Sequence, residues 1–348
     1  MNKNLLIVTQ KVDQNDPVLG FFHQWIFELA KFSDNVTVLC LEKGVYVFPK
    51  NVKVLSLGKE RSVSRIKYIF NFYYFTWIER KKYDTVFVHM NQEYVLLGGI
   101  LWRLLRKKIV MWRNHPNGNF FTDISVKFSH VVLCTSQYSY TAKFNKTISN
   151  MPVGIDTKNF FDKNKDRESG SILSIGRISP VKNILGIIRM ISSLREKGWT
   201  GSAYVYGSAP TRDIHYEEEV RSVAAPLVEN KVINFEPNVS YSKIADVYNA
   251  HEIYVNITPA GSLDKTIFEA MACGMMVITT NQALVGRIPD ECICIEKNAE
   301  DLVEKVQKYL SLSQEKKREI VARLRIYVET EQSLVQLMNR LPNLLAKI

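Results

Sequence analysis

Residues 172–197 of the 348-residue chain read ILSIGRISPVKNILGIIRMISSLREK. Three of the first four are apolar and suit a short buried strand, whereas the stretch from Pro180 onward carries apolar residues at helical spacing. Ser179 is a good N-cap residue, and Pro180 suits the first position of a helix. The stretch therefore predicts a strand, a turn through Gly176 and Arg177, and a helix, which together form part of a βαβ unit.

The same alternation of strand-like and helix-like segments extends over the whole chain. Further strands are predicted at Leu5–Thr9, Val36–Leu41, Val52–Leu55, Thr85–His89, Ile109–Trp112, Val131–Cys134, Ala203–Tyr206, Val232–Phe235, Ile253–Ile257, Met276–Thr279 and Cys292–Ile295. Helices of 10–15 residues fit between most of them, and this order is typical of mostly parallel sheets. The pattern occurs twice, with a polar segment that is poor in strands between the two occurrences. We predict a Rossmann-like domain over 1–155, a linker over 156–170, a second Rossmann-like domain over 171–330, and a C-terminal helix over 331–348 that packs back towards the first domain.

Composition places the chain among ordinary globular proteins, because 46% of its residues are apolar and 23% are charged. Its five cysteines form no C-x-x-C pair and mostly lie in apolar runs, which indicates buried thiols in a reducing compartment. No run reaches about 18 uninterrupted apolar residues, so we expect neither a membrane-spanning helix nor a signal peptide. These features favour a cytoplasmic protein.

The net charge of +11 is confined to the first half of the chain. Residues 1–150 contain 21 Lys and Arg against 10 Asp and Glu, whereas residues 151–348 contain 25 of each. A one-sided positive charge attracts an anionic surface, either nucleic acid or lipid headgroups.

Much of this basic charge flanks aromatic sequence. Basic residues surround an aromatic helix-length stretch within 59–82, and a second basic cluster follows at 102–108. This pattern suits peripheral attachment to an anionic membrane, on its cytoplasmic face. The alternative is that the aromatic residues are core and the charges form a solvated rim. Nucleic-acid binding fits less well, because no recognisable nucleic-acid module accompanies the charge.

Two cations follow the predicted strand at residues 172–175. Arg177 lies in the turn, and Lys182 falls in the first turn of the predicted helix, where a positive charge opposes the helix dipole. An anion bound at the same helix end explains this placement. The alternative is a solvated lysine beside a surface arginine.

A second helix with the same feature follows the predicted strand Ile253–Ile257. It is predicted to begin near Asp264 and to end at Gly274, with Lys265 in its first turn and Glu269 one turn further along the same face. An i,i+4 ion pair is the alternative, but Lys before Glu is the weaker order and the helix is otherwise apolar. Because ligands bind at the carboxyl ends of parallel strands, the two helix starts indicate one diphosphate held between them, with Glu269 accepting hydrogen bonds from a ribose.

Gly176-Arg177 with Lys182, followed by Glu269-Ala-Met-Ala-Cys-Gly274, is similar to the donor site of the retaining GT-B glycosyltransferases of family 4. The resemblance covers nearly the whole chain. Its further matching segments are Gly20, Pro152–Asp156 through Phe160, Tyr204–Gly207, Val232–Phe235 and Ala245–Tyr248. It implies a GT-B fold, in which two doubly wound Rossmann-like domains face a cleft and C-terminal helices follow. It also implies a hexosyl- or other glycosyltransferase that needs neither a cofactor nor a metal ion. Its substrates would be a UDP- or GDP-type nucleotide sugar and a hydroxyl of a glycan or lipid-linked acceptor, as in polysaccharide or glycolipid biosynthesis.

The resemblance also implies roles for individual residues. Arg177 and Lys182 would hold the donor diphosphate, Glu269 would bind the ribose, and residues Pro237–Val239 would contact the base. His115 would lie near the transferred sugar. The expected catalytic set is His115, Arg177 and Lys182, and the expected donor-binding set is Gly20, Gly176, Arg177, Lys182, Val239, Gly261, Ser262, Asp264, Lys265, Thr266 and Glu269.

One position departs from the family's pattern. The family usually has two carboxylates in an E-x7-E arrangement, of which the first touches the transferred sugar, and here Gly261 takes that first position. Asp264 replaces a glycine of the family and opens the same helix, so we expect it to bind the sugar hydroxyls instead. In the alternative interpretation Asp264 is only an N-cap. Lys265 would add a contact to the diphosphate.

In the first half, Gly20 is expected in the long loop after the first strand, where a ligand can approach the backbone closely. Asp13, Asn15 and Asp16 precede it and are expected on the acceptor side. His89 ends another predicted strand, and the sequence leaves open whether it belongs to the site.

The implied mechanism is retention without a side-chain nucleophile. The nucleoside diphosphate leaves the anomeric carbon, the acceptor hydroxyl attacks from the same face, and a donor phosphate oxygen takes its proton. Arg177, Lys182 and the two helix ends would neutralise the leaving group, which is electrostatic preorganisation.

Other functions fit the sequence less well. A catalytically weak binding module for sugar nucleotides or glycans is permitted by Gly261. A GT-B epimerase needs paired acid and base carboxylates, which we do not identify. No G-x-G-x-x-G follows a strand and no G-x-x-x-x-G-K-[ST] is present, so a dinucleotide-dependent oxidoreductase and a P-loop nucleotidase are both disfavoured.

Overall fold

The structure, a computed structural model, describes residues 4–258, 263–295 and 298–348. The chain forms two compact units. The first comprises Met1–Gly154 together with Leu334–Ile348, and the second comprises Ile155–Ser333.

The first unit is a parallel sheet with helices along the connections. Its strands are β1 (Leu5–Val12), β2 (Val36–Lys43), β3 (Val52–Ser56), β4 (Thr85–His89), β5 (Lys108–Trp112), β6 (Val131–Leu133) and β7 (Thr147–Ile148), and its helices are α1 (Gly20–Ala30), α2 (Arg65–Ile78), α3 (Gln92–Leu104) and α4 (Phe120–Phe128). The strands lie in the order β3-β2-β1-β4-β5-β6-β7, and every neighbouring pair is parallel.

The core of this unit explains why its central strands are mostly apolar. Strands at the centre of a parallel sheet are covered on both faces, so successive side chains are mostly apolar rather than alternating with polar ones. All five residues of β4 are buried, and Trp112 at the end of β5 is buried against Trp25 of α1. The last helix of the chain, Leu334–Lys347, also packs against α1 and belongs to this unit.

The second unit repeats the arrangement with five strands. Its strands are β8 (Glu168–Ile175), β9 (Ala203–Tyr206), β10 (Ile233–Glu236), β11 (His251–Asn256) and β12 (Met276–Thr279). Its helices are α5 (Ile184–Glu196), α6 (Ile214–Glu229), α7 (Ile244–Ala250), α8 (Lys265–Ala272), α9 (Ala299–Ser311) and α10 (Gln314–Tyr327). The last helix of the chain, α11 (Leu334–Lys347), belongs to the first unit, as described above. The order is β10-β9-β8-β11-β12, again with parallel neighbours. Two parallel Rossmann-like sheets with flanking helices confirm the predicted fold class.

Some predicted elements differ from the structure. The strand predicted at Cys292–Ile295 is wrong, because a 3-10 turn covers Asp290–Cys292 and only Ile293 forms an isolated bridge, to Thr279. Cys292 and Cys294 are buried without being part of the sheet, whereas Ile295 is exposed. A short apolar run in the sequence does not distinguish such a segment from a strand. β8 begins at Glu168, so the last three residues of the predicted linker are strand.

All five cysteines are buried and unpaired by disulfides. Among the described residues, no helix has the length and apolar character needed to cross a membrane.

Candidate functional site

The second unit has its switch point between β8 and β11. The chain proceeds from β8 outward to β9 and β10, then returns to the other side of β8 through β11 and β12. In open parallel sheets, ligands bind outside the carboxyl ends of the strands at such a point. β8 ends at Ile175 and β11 ends at Asn256, so the segments after these two residues form the candidate site.

The turn after β8 is held tightly against the turn after β9. Gly176 and Gly207 have φ values of 146° and 145°, which side chains rarely allow. A Cβ on Gly207 would lie 1.9 Å from the carbonyl oxygen of Gly176. The Ile178 N–H also donates to the carbonyl of Ser208 at 3.1 Å. Arg177 is exposed in this turn, directly after the carboxyl end of the central strand β8.

The structure corrects the prediction for Lys182. Ser179 makes no side-chain capping hydrogen bond, and the predicted single helix is divided into a 3-10 turn, Pro180–Lys182, and α5. Asn183 causes the break, because it has a left-handed backbone with φ of 49° and its side chain caps α5 by accepting from the Gly186 N–H. Lys182 therefore lies in its own turn before the α-helix and not in that helix's first turn.

Lys182 and Asp264 join the two strand ends. The Lys182 ammonium donates to the Asp264 carboxylate, and the Asn256 side-chain amide donates to the same carboxylate oxygen at 2.9 Å. The other oxygen accepts from the Thr266 N–H at 3.4 Å, so Asp264 is also the N-cap of α8. Burial raises the pKa of Asp264, but Lys182 and the hydrogen bonds outweigh it, so that this pKa lies below its ordinary value.

Glu269 lies one turn further into α8 and is 4% exposed. Its carboxylate accepts a hydrogen bond of 3.0 Å from the hydroxyl of Tyr248, which is fully buried. Burial raises the pKa of Glu269 above its ordinary value and lowers that of Lys265, although each group favours the charged form of the other. Asp156 also acts on Lys265 and opposes its loss of charge. A carboxylate and an ammonium thus share a poorly solvated region behind Asp264.

The other predicted residues of this unit are Thr266, Val239, Gly261 and Ser262. Thr266 is in the first turn of α8, where its N–H donates to Asp264. Val239 is half-buried in the segment after β10. Gly261 and Ser262 were predicted to bind the donor and lie outside the described residues.

Two residues of the site were missed by the sequence analysis. Tyr248 is part of a matching segment, yet nothing in the sequence places its hydroxyl against Glu269, because they are on different helices. Asn256 was predicted only as strand. The available signal was that Asn256 is a polar residue at the end of an apolar strand, where the ligand was predicted to bind.

In the first unit, Gly20 differs from its predicted position. It is not in a loop but is the first residue of α1, buried, with its N–H donating to the carbonyl of Asp16 at 2.9 Å. The Asp16 side chain accepts from two backbone N–H groups, of Val18 and Leu19, and forms an ion pair of 2.9 Å with Lys11. These contacts determine the shape of the turn that leads into the helix.

The two histidines have different environments. His89 is 1% exposed and stacks on Phe22 with ring centroids 3.7 Å apart, so it belongs to the aromatic core at the end of β4. His115 is exposed in the loop after β5, where its Nδ1 lies 3.0 Å from the N–H of Asn117. Arg113 holds this loop by donating to the carbonyls of His115 and Asn117.

The described residues contain no group of three or more His, Cys, Asp or Glu side chains positioned to hold a metal ion.

Two family models match the chain. Residues 188–343 match the family described as glycosyl transferase-like, and residues 17–113 match the family described as glycosyl transferase 4-like. No curated protein matches the sequence.

Solved structures match over nearly the full length of the chain. HepE of Anabaena, in complex with UDP and glucose, has a TM-score of 0.79 at 14% identity, over 99% of this chain and 100% of that one. A glycosyltransferase from Rickettsia africae has a TM-score of 0.77 at 15% identity, over 100% of this chain and 99% of that one. Sucrose-phosphate synthase from Thermosynechococcus elongatus has a TM-score of 0.78 at 15% identity, over 99% of each chain. At these identities the likeness shows the fold, and together with the two family models it supports a GT-B glycosyltransferase.

Proposed function

We propose that the protein is a retaining glycosyltransferase that moves a hexosyl group from a nucleoside-diphosphate sugar to a hydroxyl of a glycan or lipid-linked acceptor. The observation that carries the proposal is the set of side chains after β8 and β11. Arg177 and Lys182 supply positive charge, and Glu269 supplies a buried carboxylate one turn into α8. This combination suits a diphosphate attached to a ribose.

Lys182 retains capacity for a phosphate while it is paired with Asp264. An ammonium has three N–H donors, and the contact with Asp264 uses one of them. The two others are available for diphosphate oxygens. We therefore assign Asp264 two tasks, which are to orient Lys182 and to accept hydrogen bonds from the transferred sugar. Lys265 adds positive charge at the start of the same helix, and the side chain of Thr266 is assigned to the donor beside it.

The remaining donor contacts follow the resemblance. Gly176 allows the diphosphate to approach the backbone, Glu269 accepts from the ribose hydroxyls, and Val239 contacts the base. Gly261 and Ser262 complete the sugar site in this proposal. Because structures of HepE hold UDP, UDP with glucose, and UDP-glucose, a UDP sugar is the first donor to test, followed by GDP sugars.

In the proposed reaction, the bond between the anomeric carbon and the donor phosphate oxygen breaks, and the nucleoside diphosphate leaves with the electron pair. The acceptor hydroxyl forms the new bond on the same face and passes its proton to a phosphate oxygen of the leaving group. Arg177 and Lys182 stabilise the developing charge. The resemblance assigns His115 to the transferred sugar and Gly20 to the donor. The reaction needs neither a metal ion nor a cofactor.

We place this activity in the cytoplasm, in polysaccharide or glycolipid synthesis, with peripheral attachment to an anionic membrane through 59–82 and 102–108. The basic surplus of the first 150 residues supports this location.

The decisive experiment measures melting temperature and sugar transfer with UDP, GDP, ADP, CDP and their sugar conjugates in the presence of EDTA. A nucleotide at 100 times its Kd stabilises the folded state by about 2.7 kcal/mol, which a melting curve resolves. We expect one nucleotide to raise the melting temperature of the wild type and of Arg323→Ala, an exposed arginine on α10, but not of Arg177→Ala.

Three results would contradict the proposal. The absence of any melting-temperature shift with these nucleotides would contradict the proposed donor site. Nucleotide binding without transfer or donor hydrolysis would favour the binding-module alternative. A product whose anomeric configuration, determined by NMR, is opposite to that of the donor would exclude retention.

A further inference from the structure

Helix α2 is apolar on two opposite faces. Its inner face packs into the core of the first unit through the buried Phe72 and the partly buried Tyr68 and Phe75, with Asn71 and Thr76 as buried polar residues on the same side. Its outer face is formed by seven large apolar side chains that are exposed by 40–80%: Ile66, Ile69, Phe70, Tyr73, Tyr74, Trp77 and Ile78. A helix that is apolar all round normally has both faces covered, by protein or by lipid.

The outer residues form one continuous stripe. Ile66, Phe70, Tyr73 and Trp77 follow the i, i+4, i+7, i+11 spacing of a single helix face. The Tyr73 hydroxyl donates to the carbonyl of Leu97 at 2.9 Å, which fixes α2 beside α3.

On α3, Ile100 and Leu104 are exposed by 60% and 77%. We define the α2–α3 face as the seven exposed apolar residues of α2 together with Ile100 and Leu104.

The solvent-exposed charges of α2 and its flanking residues are positive. Within residues 64–82 the basic side chains are Arg65, Lys67, Arg80, Lys81 and Lys82, and the sole acidic residue is Glu79. Glu79 is 3% exposed and is neutralised by Lys53 at 2.6 Å and Lys82 at 3.2 Å. Exposed Arg103 and Arg106 add positive charge at the end of α3.

Two of these cations are stacked against the apolar stripe. The guanidinium of Arg80 lies 4.2 Å from the ring of Trp77, and the ammonium of Lys67 lies 5.0 Å from the ring of Phe70. A long basic side chain that covers a ring and ends in a charge suits the boundary between acyl chains and headgroups, where both parts are satisfied.

We infer that the α2–α3 face binds the surface of an anionic lipid bilayer. In this arrangement α2 lies in the plane of the interface, its apolar stripe enters the acyl boundary, and Arg65, Lys67 and Arg80 contact lipid phosphates. Charge complementarity favours lipid over a second copy of the chain, because two such faces would place their cations together. The inference deepens the proposed function, since a lipid-linked acceptor would be presented at the same membrane.

The structure corrects the sequence prediction in one respect. Within 102–108, Trp102 is fully buried in the core, and Lys107 donates to the carbonyl of Tyr83. The contribution of this segment to the face is therefore limited to Leu104 and the neighbouring arginines.

Intrinsic fluorescence gives a direct test, because Trp77 is 50% exposed, whereas the four other tryptophans, Trp25, Trp102, Trp112 and Trp199, are at most 8% exposed. Full-length protein is mixed with vesicles of phosphatidylcholine and phosphatidylglycerol that carry bromine on their acyl chains. We expect quenching that weakens with salt, and loss of that quenching in Trp77→Phe, which still sediments with the vesicles.

Two variants separate the apolar and charged contributions. Phe70→Ser combined with Trp77→Ser should weaken vesicle binding at least tenfold, whereas Phe120→Ser with Phe121→Ser, an exposed pair on α4, should leave it unchanged. Arg65→Gln with Lys67→Gln should weaken binding roughly thirtyfold, since each basic side chain near an anionic surface contributes about 1 kcal/mol.

Three outcomes overturn the inference: no vesicle binding by the wild type, equal binding to neutral and anionic vesicles, or a protein dimer that Phe70→Ser with Trp77→Ser dissociates. Melting shifts with nucleotide, measured on the same samples, separate this inference from the proposed function. A normal melting-temperature shift with nucleotide, without vesicle binding, would contradict only the membrane face. Vesicle binding without any melting-temperature shift would contradict only the donor site.

Discussion

The hydroxyl of Tyr248 donates a hydrogen bond of 3.0 Å to the carboxylate of Glu269, and both side chains are almost completely buried. The contact joins α7 to α8 behind the strand ends of the second unit. A buried carboxylate that keeps one neutral donor can still accept hydrogen bonds from a ligand. Because we propose that Glu269 accepts hydrogen bonds from the ribose, its protonation state should be measurable through nucleotide binding.

We expect nucleotide affinity to fall as the pH is lowered through the pKa of Glu269, because the ionised form accepts hydrogen bonds from ribose. Burial places this pKa above the ordinary carboxyl value, so the loss begins at a higher pH than an exposed glutamate would show. Titration calorimetry with UDP between about pH 5 and pH 8 measures it. Glu269→Gln should bind weakly with a flat pH profile, and a sloping profile in that variant would assign the titration to another group.

Tyr248→Phe removes a donor from the same carboxylate. We expect the midpoint of the pH profile to move upward and the unfolding free energy to fall by about 1–3 kcal/mol, because a buried acceptor loses its partner. Urea unfolding and the UDP titration provide the two measurements. Tyr254→Phe is the matched control, because that hydroxyl is also buried but donates to the carbonyl of Ile175. An equal midpoint shift in both variants would disprove a specific role for Tyr248.

Glu269 should also make folding stability depend on pH. Because its pKa is raised in the folded state, the folded chain holds a proton that the unfolded chain has already lost. Its contribution to stability is full below the ordinary carboxyl pKa and is lost as the pH rises through the folded-state pKa. The unfolding free energy of Glu269→Gln relative to wild type should therefore increase between about pH 4.5 and pH 7.5 in urea titrations. A constant difference would show that burial does not perturb this carboxylate.

The parts of the molecule that depend on local pattern were predictable from sequence. The strands that end at Ile175 and Thr279 and the N-cap at Asp264 are confirmed, because apolar runs and capping chemistry are encoded in neighbouring residues. The predicted start of the helix after β8 was wrong. Pro180 marks a helix beginning, but the left-handed backbone of Asn183 divides the segment, and such a break is not visible in hydrophobic spacing.

Contacts between distant segments were not predictable in the same way. Lys182 and Asp264 are 82 residues apart, and each had a local explanation as a surface lysine or as an N-cap. Their ion pair depends on the adjacency of β8 and β11, which the order of strands along the chain does not specify. The same applies to the outer face of α2, since sequence alone cannot tell an aromatic residue in the core from one exposed beside it.

Asp264 combines capping with charge, and two substitutions separate these roles. Asp264→Asn keeps an oxygen for the Thr266 N–H but removes the charge beside Lys182, so we expect weaker sugar transfer with a small loss of stability. Asp264→Ala should lose a further ~1 kcal/mol of unfolding free energy with the cap. Ser313→Ala, which removes the cap of α10, is the control for stability without an effect on transfer. Unchanged transfer in Asp264→Asn would reduce Asp264 to an N-cap.

The contribution of Asp264 to folding stability should be lost at low pH, whereas that of Glu269 is lost at high pH. The folded-state pKa of Asp264 is depressed, so its stabilising contribution is present above the ordinary aspartate pKa and is lost as the pH falls through the folded-state value. Below about pH 4 the wild type should lose stability relative to Asp264→Asn, as measured by thermal unfolding. Parallel acid unfolding of the two proteins would show that the Lys182 pair adds nothing to stability.

Gly207 tests whether the close approach of the two turns is needed for donor binding. Gly207→Ala places a Cβ 1.9 Å from the carbonyl oxygen of Gly176, so the Arg177 turn must move. Gly198→Ala is a matched control, because Gly198 also has a positive φ, of 88°, but nothing lies within 4 Å of an added Cβ. Backbone strain of about 1–3 kcal/mol is common to both variants. We therefore expect both to melt at a lower temperature, while only Gly207→Ala loses the stabilisation by nucleotide. If Gly207→Ala retained that stabilisation, the position of Arg177 would not depend on this contact, and the turn after β8 would bind the diphosphate without support from β9.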